Sequence, residues 1–232
     1  MYRRPGTVGE LSAGAHSESV IAWSVPPGVS SVSEPPESEP STEEAIMEAT
    51  FRALCAHGYA GASISRIAEE FPKSKSLLYY HYEDKDDLLS DFLGYLLDQL
   101  EADLRTDRPD AADERLYALL DKLAPRDISE EHVQFFQALL EMRAQTAHEP
   151  AYREQFERSD DLIVAALTEA IETGIEDGDV RPVDAEATAE FVLATLYGGL
   201  DRAIPLDDPE KLVAVRDELD RYLETQLLID DG

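Results

Sequence analysis

The sequence predicts an all-α protein in which an N-terminal three-helix domain of the helix-turn-helix type precedes a larger C-terminal helical domain. Three observations support this class. From about residue 43 onward, apolar residues recur at spacings of three and four, which is the period of an α-helix. Glycine, proline and capping residues interrupt that period repeatedly. No segment of the sequence shows the alternation and β-branched enrichment of a strand.

Residues 1–40 differ from the rest of the chain. They contain six prolines and repeated serines and show no sustained helical or strand period. We therefore expect a disordered leader. A basic pair precedes the apolar stretch 20–25, but that stretch is too short for a secretion signal, so secretion is rejected. The leader is either a natural tail or the product of a start codon assigned too far upstream, and the sequence leaves both readings open.

Capping residues divide the next segment into four helices. Ser41 or Thr42 can cap the first helix, and Gly58 follows its end, where a left-handed residue commonly stops a helix. Ser63 caps the second helix, and Asp84 caps the fourth. The predicted ranges are 43–57, 63–70, 74–82 and 85–104. The fourth helix should link an N-terminal domain, residues 41–88, to a C-terminal helical domain, residues 89–232.

Five more helical patterns follow beyond Pro109. Turn signals at proline and glycine separate them. The predicted ranges are 113–124, 129–148, 150–176, 184–203 and 208–228. No apolar run approaches the ~20 residues that a membrane-spanning helix needs, so no membrane partner is expected.

The stretch from Ser63 to Tyr82 carries the clearest functional signal. It predicts two short helices around a tight turn, and the second is rich in hydroxyl and aromatic side chains. Such side chains reach phosphates and base edges when the second helix of this motif enters the major groove of double-stranded DNA. The candidate DNA-binding residues are Ser65, Lys73, Ser74, Lys75, Ser76, Leu77, Tyr79, Tyr80, His81 and Lys85.

Residues 43–88 resemble the N-terminal domain of the tetracycline-repressor (TetR) family. The resemblance rests on an ordered series of motifs: His57-Gly58-Tyr59, Ile67-Ala68-Glu69, Ser74-Lys75, the run from Leu78 to Tyr82, and the run from Lys85 to Leu89. It implies that the positions of Lys75, Ser76, Leu77 and Tyr79 face bases and that those of Tyr80, His81 and Lys85 meet phosphates. The alternatives are a solvated surface position for the lysines and packing within the domain for Leu77, Tyr79 and His81.

Pro72 departs from that family pattern, which usually has glycine in this turn. Proline fixes φ near ~-65° and cannot adopt the left-handed conformation that glycine permits. We therefore expect the turn to close differently, which affects the reach of Ser74 and Lys75.

The same resemblance implies a C-terminal domain that dimerises through its last two helices and encloses a small-molecule pocket. The expected homodimer residues are Phe191, Leu196, Tyr197, Leu200, Leu212, Leu219, Tyr222 and Leu223. The expected lining of the pocket is Tyr117, His132, Phe135, Phe136, Met142 and Arg143, which would suit a mainly apolar effector of unknown identity. The alternative reading of these aromatic and methionine positions is simple core. Gly198-Gly199 would allow a close approach of a partner helix, or would only weaken the helix locally.

The chain is strongly acidic, with 50 acidic and 20 basic residues and a net charge of -30. Only five of the basic residues are lysines, and the acidic residues are spread over every segment. This composition predicts a halophilic protein; the alternative is an ordinary acidic mesophilic one. The one cysteine, Cys55, cannot form an intramolecular disulfide, which fits a cytoplasmic protein in which Cys55 is a small core residue.

Two alternative functions are an enzyme and a protein of this fold that does not bind DNA. An enzyme has no support, because the five histidines form no metal-ligating spacing, and pairs such as Asp160-Asp161 are expected to be solvated carboxylates. Neither a cofactor nor a metal is predicted. A protein of this fold that has lost DNA binding is the stronger rival, since residues 41–88 carry five basic against nine acidic side chains. The sequence favours a ligand-responsive repressor that binds a palindromic operator as a dimer.

Overall fold

The structure, a computed structural model, describes residues 41–106, 109, 111–126 and 129–229, apart from the side chain of Glu131, and confirms the all-α class. The helices are α1 (Thr42–Gly61), α2 (Ile64–Glu70), α3 (Lys75–His81), α4 (Lys85–Thr106), α5 (Ala112–Leu123), α6 (Glu130–Ala144), α7 (Pro150–Asp177), α8 (Ala185–Ala203) and α9 (Glu210–Tyr222). Short 3₁₀ turns at Gln145–Ala147 and Ile204–Leu206 follow α6 and α8, and a π-helical turn at Leu223–Leu227 extends α9. The leader at 1–40 lies outside the described residues.

The predicted caps begin the helices where the sequence placed them. Ser41 forms a capping box with Glu44: its Oγ accepts from the Glu44 amide at 3.1 Å, and its own amide donates to the Glu44 carboxylate at 2.7 Å. Oγ of Ser63 accepts from the amide of Arg66 at 3.3 Å. Oδ1 of Asp84 accepts from the amides at positions 86 and 87 at 3.0 and 2.9 Å.

The first helix ends differently from the prediction. Helix α1 reaches Gly61, and its regular geometry breaks at Gly58, where φ is 63° and ψ is 175°. Only glycine adopts this conformation readily. One more helical turn follows the break, and it carries Tyr59 to the start of α4, where its ring contacts Lys85.

An aromatic cluster joins the DNA-binding domain to the rest of the chain. Helix α1 packs against α6, and Phe51 lies 4.9 Å from Phe135, measured between ring centroids. Phe92 of α4 contacts the same Phe135 ring edge to face at 6.3 Å. All three side chains are fully buried. Phe135 therefore belongs to the joint between the domains.

Helices α7, α8 and α9 pack in sequence, and α7 also packs against α4 and α5. Gly199 lets α8 and α9 approach closely, since a Cβ there would lie 3.1 Å from the side chain of Val215, whereas a Cβ at Gly198 would meet open space. Arg216 of α9 is buried, and it donates to Asp121 at 2.6 Å and to Asp220 at 3.0 Å. This ion-pair network ties α9 to the end of α5. Among the residues described here, no helix is long and apolar enough to cross a membrane.

Candidate nucleic-acid interface and effector cavity

The recognition helix α3 is anchored by its apolar side. Phe71 ends α2 and is buried, and Leu78 and Tyr82 hold α3 against the core. Phe71 has the extended backbone, φ -81° and ψ 121°, that a residue before proline prefers. Positive φ occurs only at Gly58, Gly178 and Asp207 within the described ranges. The turn at Pro72 therefore closes without a left-handed residue, as its sequence requires.

The opposite side of α3 is open. The exposed fractions of Tyr79 and Tyr80 are 53% and 84%, high values for large aromatic side chains. Of the ten candidate DNA-binding residues, Leu77 and Lys85 are half-buried and the others are exposed: Ser65, Lys73, Ser74, Lys75, Ser76, Tyr79, Tyr80 and His81. Aromatic and hydroxyl groups thus form a continuous surface at α3.

Two hydroxyl contacts order this surface. The Ser65 hydroxyl shares a 2.9 Å hydrogen bond with that of Tyr79, which links α2 to α3. Ser74 and Ser76 share another at 2.6 Å across the first turn of α3. Ser65 therefore fixes Tyr79 from the neighbouring helix.

The three lysines near α3 are not equivalent. Lys73 donates to the hydroxyl of Thr42 at 3.1 Å. The ammonium of Lys85 lies 3.8 Å from the centroid of the Tyr59 ring and donates to the Tyr59 carbonyl at 3.3 Å. Lys75 is exposed at the start of α3 and makes no hydrogen bond or ion pair with any residue that the structure describes. Of the three, Lys75 can therefore bind a new partner without breaking a hydrogen bond to a described residue.

A cavity of about 360 Å³ lies among α6, α7 and α8. Its wall is mostly aliphatic and aromatic, with two charged residues, Arg143 and Asp201. The lining residues are Leu123, Phe136, Leu139, Leu140, Arg143, Phe156, Ile163, Leu193, Leu196, Tyr197, Gly198, Leu200 and Asp201. The volume and the apolar wall are typical of a small-molecule site.

Arg143 and Asp160 form the polar group at the cavity. The Arg143 guanidinium forms an ion pair with Asp160 and stacks on two rings, 4.3 Å from the centroid of Tyr197 and 5.1 Å from that of Phe156. The Tyr197 hydroxyl donates to the other oxygen of Asp160 at 2.7 Å. Burial is the largest influence on Arg143 and opposes its charge, but the hydrogen bond to Asp160 and the further interactions with Tyr197 and Asp160 together outweigh it and raise the pKa of Arg143. Burial and then Asp160 raise the pKa of Tyr197, so its hydroxyl stays protonated.

Only two of the six residues predicted to line the pocket lie in the wall of this cavity. Phe136 and Arg143 lie in the wall of the cavity. Phe135 and Met142 instead point into the core, where each has no exposed surface. His132 lies at the start of α6, where its Nδ1 is 2.9 Å from Oγ of Ser129, and Tyr117 lies on α5 near Arg216. The helical period correctly placed the five residues other than Tyr117 on one helix but could not show which face meets α8.

Phe156 in the cavity wall and Asp160 beside Arg143 were not among the residues predicted to line the pocket. The sequence predicts a solvated carboxylate at Asp160, but this prediction is wrong: both of its oxygens have partners, whereas the neighbouring Asp161 is exposed. The available signal was position: residues 152, 156, 160 and 163 follow the helical spacing of one face of α7.

The predicted dimer residues also separate into groups. Phe191 and Tyr222 stack on the outer surface of α8 and α9 with centroids 5.3 Å apart, beside a shallow apolar groove that includes Val215. Tyr197 turns toward the cavity instead. The remaining residues are buried between the helices of this chain: Leu196, Leu200, Leu212, Leu219 and Leu223.

Comparison with known proteins agrees with this architecture. Residues 46–92 match the family described as bacterial regulatory proteins, tetR family, and residues 112–228 match the family described as BetI-type transcriptional repressor, C-terminal. A TetR transcription regulator from Haloarcula marismortui is 37% identical, with a TM-score of 0.73 over 80% of this chain and 98% of that one.

Two more distant relatives span both domains. The HTH-type transcriptional repressor AcnR of Corynebacterium glutamicum is 22% identical over 178 residues, which are 76% of this chain and 89% of AcnR. A transcriptional regulator from Saccharomonospora viridis, solved in complex with choline, shares the fold at 22% identity and a TM-score of 0.69, over 81% of this chain and 98% of that one. The chain described here therefore belongs to the TetR family, as a DNA-binding transcriptional regulator with a C-terminal ligand-binding domain.

Proposed function

We propose that the protein is a homodimeric repressor that binds a palindromic operator in the cytoplasm and leaves it when a small molecule enters the cavity among α6, α7 and α8. The observation that carries this proposal is the exposed face of α3. It holds Tyr79, Tyr80 and Lys75, and Lys75 makes no hydrogen bond or ion pair with a described residue. Leu78 and Tyr82 fix the helix to the core.

The recognition helix would enter the major groove by its N-terminal end. Lys75 can donate to O6 or N7 of guanine, Ser76 can donate or accept, and the Leu77 methyl groups can contact the methyl group of thymine. Tyr79, held by Ser65, would face the bases beside them. Tyr80 and His81 would contact the phosphates.

The pairing of two chains would use the outer surface of α8 and α9. Phe191 is exposed there and contacts the half-buried ring of Tyr222, and large exposed aromatic groups commonly mark an interface. A two-fold pair would present its recognition helices to half-sites ~34 Å apart. One short helix alone buries too little surface for useful specificity.

The effector would be a small, mostly apolar molecule with a charged head group. The aliphatic wall would take the apolar part, and the Arg143–Asp160 pair between the rings of Phe156 and Tyr197 would meet the head group. Aromatic rings beside a carboxylate favour an organic cation, whereas a free guanidinium edge favours a carboxylate. Choline, which the Saccharomonospora viridis regulator binds, and hexanoate are therefore the two probes to compare.

Fluorescence anisotropy tests the operator. The protein is titrated onto the DNA upstream of its own gene and onto a scrambled duplex, in molar potassium chloride. Saturable binding to the upstream DNA alone supports the proposal. Equal, weak binding to the upstream DNA, to the scrambled duplex and to duplexes selected from a random library would contradict specific recognition.

Thermal unfolding with each probe tests the effector site, because a ligand that binds only the folded state raises the melting temperature. A cation site predicts a shift with choline that Asp160→Asn abolishes, and a carboxylate site predicts a shift with hexanoate that Arg143→Leu abolishes. A shift that both variants retain would show that the Arg143–Asp160 pair does not bind the head group.

A further inference from the structure

Tyr152 joins the start of α7 to the DNA-binding domain. It lies in the first turn of α7 and is fully buried. Its hydroxyl donates to Oδ1 of Asp86, in the first turn of α4, at 2.8 Å. Its ring lies edge to face with that of Tyr59, with centroids 6.4 Å apart. One side chain of α7 therefore contacts both the end of α1 and the start of α4.

Lys85 closes this junction from the other side. Its ammonium lies over the Tyr59 ring and donates to the Tyr59 carbonyl, so the first residue of α4 is tied directly to the last turn of α1. A displacement of the start of α4 would therefore carry the end of α1 with it. Burial and the neighbouring Asp86 raise the pKa of Tyr152, which keeps its hydroxyl a donor.

The same face of α7 reaches the effector cavity. Phe156 and Ile163 line the cavity, and Asp160 binds Arg143 at its edge. These positions follow Tyr152 at the spacings that share one side of an α-helix. From Tyr152 to Ile163 the helix spans about 16 Å of continuous hydrogen-bonded backbone. A shift of α7 at the cavity is therefore transmitted to its first turn.

We infer that Tyr152 is a positioning residue for DNA binding, which couples the position of α7 at the cavity to the start of α4 through its hydrogen bond with Asp86. The inference rests on the proposed function and adds the route of regulation to it. In the ligand-free protein this bond holds the DNA-binding domain in the orientation that fits the operator. An effector that displaces Phe156 or Asp160 moves Tyr152 and releases that orientation.

The experiment uses full-length variants and the operator duplex. Tyr152→Phe removes the hydroxyl and keeps the ring, Asp86→Ala removes the acceptor, and Asp86→Asn keeps an acceptor oxygen. Tyr117→Phe is the matched control, since it removes a hydroxyl from a half-buried tyrosine that the structure places away from the junction and the cavity. Anisotropy gives operator affinity, and the melting temperature reports whether each variant folds.

We expect Tyr152→Phe and Asp86→Ala each to weaken operator binding by about fivefold or more, and the double variant to be no weaker than either alone. Asp86→Asn and Tyr117→Phe should stay within about twofold of the wild type. Specific binding by the wild type with an unchanged affinity in Tyr152→Phe would overturn the inference. So would equal losses in Asp86→Asn and Asp86→Ala.

Amide hydrogen exchange tests the same bond without DNA. Tyr152→Phe should speed exchange at residues 59–61 and 85–89, while α8 and α9 keep their protection. Unchanged exchange at both segments would overturn the inference even if no operator were found. Failure of the wild type to bind any duplex specifically would count against the proposed function and would leave this readout to decide on the junction.

Discussion

Lys75 differs from the neighbouring lysines because its ammonium makes no hydrogen bond or ion pair with any other residue that the structure describes. We predict that Lys75→Ala weakens binding to the specific duplex by about 1–3 kcal/mol, the usual value of a base contact. Anisotropy on specific and scrambled duplexes measures this. Lys73→Ala is the matched control and should change affinity less, because Lys73 is held by Thr42. Equal losses in both variants would indicate a diffuse electrostatic role.

The hydrogen bond between Ser65 and Tyr79 makes a second prediction at this scale. Tyr79→Phe removes the hydroxyl that Ser65 holds. If orientation of the Tyr79 ring matters for binding, Ser65→Ala and Tyr79→Phe will each weaken operator affinity, with a coupling energy of about 0.5 kcal/mol or more between them. The double-mutant cycle measures this coupling. Fully additive losses would show that the two hydroxyl groups act independently on DNA.

The exposed face of α3 could be predicted from the sequence because its residues are close along the chain. Eight of the ten candidates are exposed around α3. The effector cavity was harder, since it is formed by three helices that are distant in sequence. Periodicity identifies an apolar face, but Phe135 and Phe136 are adjacent and both buried, and only packing decides that Phe136 meets the cavity.

Asp160 shows a related limit. With 50 acidic residues in the chain, an isolated carboxylate carries almost no signal. Its partners Arg143 and Tyr197 are on different helices, so the pairing exists only after folding.

The close packing of α7 against its neighbours depends on the absence of a side chain at Gly174. A Cβ at Gly174 would lie 2.4 Å from Cγ2 of Val180 and 2.8 Å from Cβ of Ala112, which is too close for either neighbour. We predict that Gly174→Ala lowers the free energy of unfolding by about 1–3 kcal/mol through overpacking.

Gly198→Ala is the matched control for that prediction. It adds the same methyl group to a helix at a position where the Cβ would meet open space. Chemical denaturation should therefore show unchanged or higher stability, by up to about 1 kcal/mol. A loss in Gly198→Ala as large as that in Gly174→Ala would show that helix geometry, and not overpacking, sets the cost.

The nine predicted helices were confirmed, whereas some of their ends were not. Local capping chemistry fixed the starts at Ser41, Ser63 and Asp84. In the last turn of α1, Tyr59 packs against α4 and α7, and the π-helical turn after α9 is followed by a bridge between Leu228 and Val180. Such long-range contacts leave no periodic signal in the sequence.

The charge of -30 is a property of the whole molecule with two measurable effects. Repulsion among the acidic residues destabilises the folded chain. Salt weakens this repulsion, because the Debye length falls to about 3 Å at 1 M. We predict that the melting temperature rises steadily from 0.2 M toward molar potassium chloride (about 0.2 to 2 M). Sucrose at equal osmolality should raise it less. A melting temperature that is flat or falls with added salt would contradict a halophilic surface.

The salt dependence of DNA binding should be shallow. Each phosphate contact contributes a slope of about -0.9 to log K against log salt. Among the lysines around α3, Lys75 alone makes no hydrogen bond or ion pair with a described residue, and as a cation in the major groove it releases counterions even when it binds a base edge. One such lysine from each chain gives an expected slope of roughly -2 for a dimer. Anisotropy over a salt series measures it. A slope of roughly -6 or steeper would require phosphate contacts from lysine or arginine side chains that the structure shows held within the chain.

The Arg143 side chain would compete with an effector for the rings at the cavity. Its guanidinium already occupies the space between the rings of Phe156 and Tyr197, so an effector that uses those rings must first displace a group tethered to the same molecule. The local concentration of a tethered group does not fall when the protein is diluted. The effector can use the rings only while the guanidinium is away from them, so its apparent affinity is reduced accordingly. The regulator would thus need a higher effector concentration for a half-maximal response than the rings alone would require, and shortening Arg143 would lower that concentration.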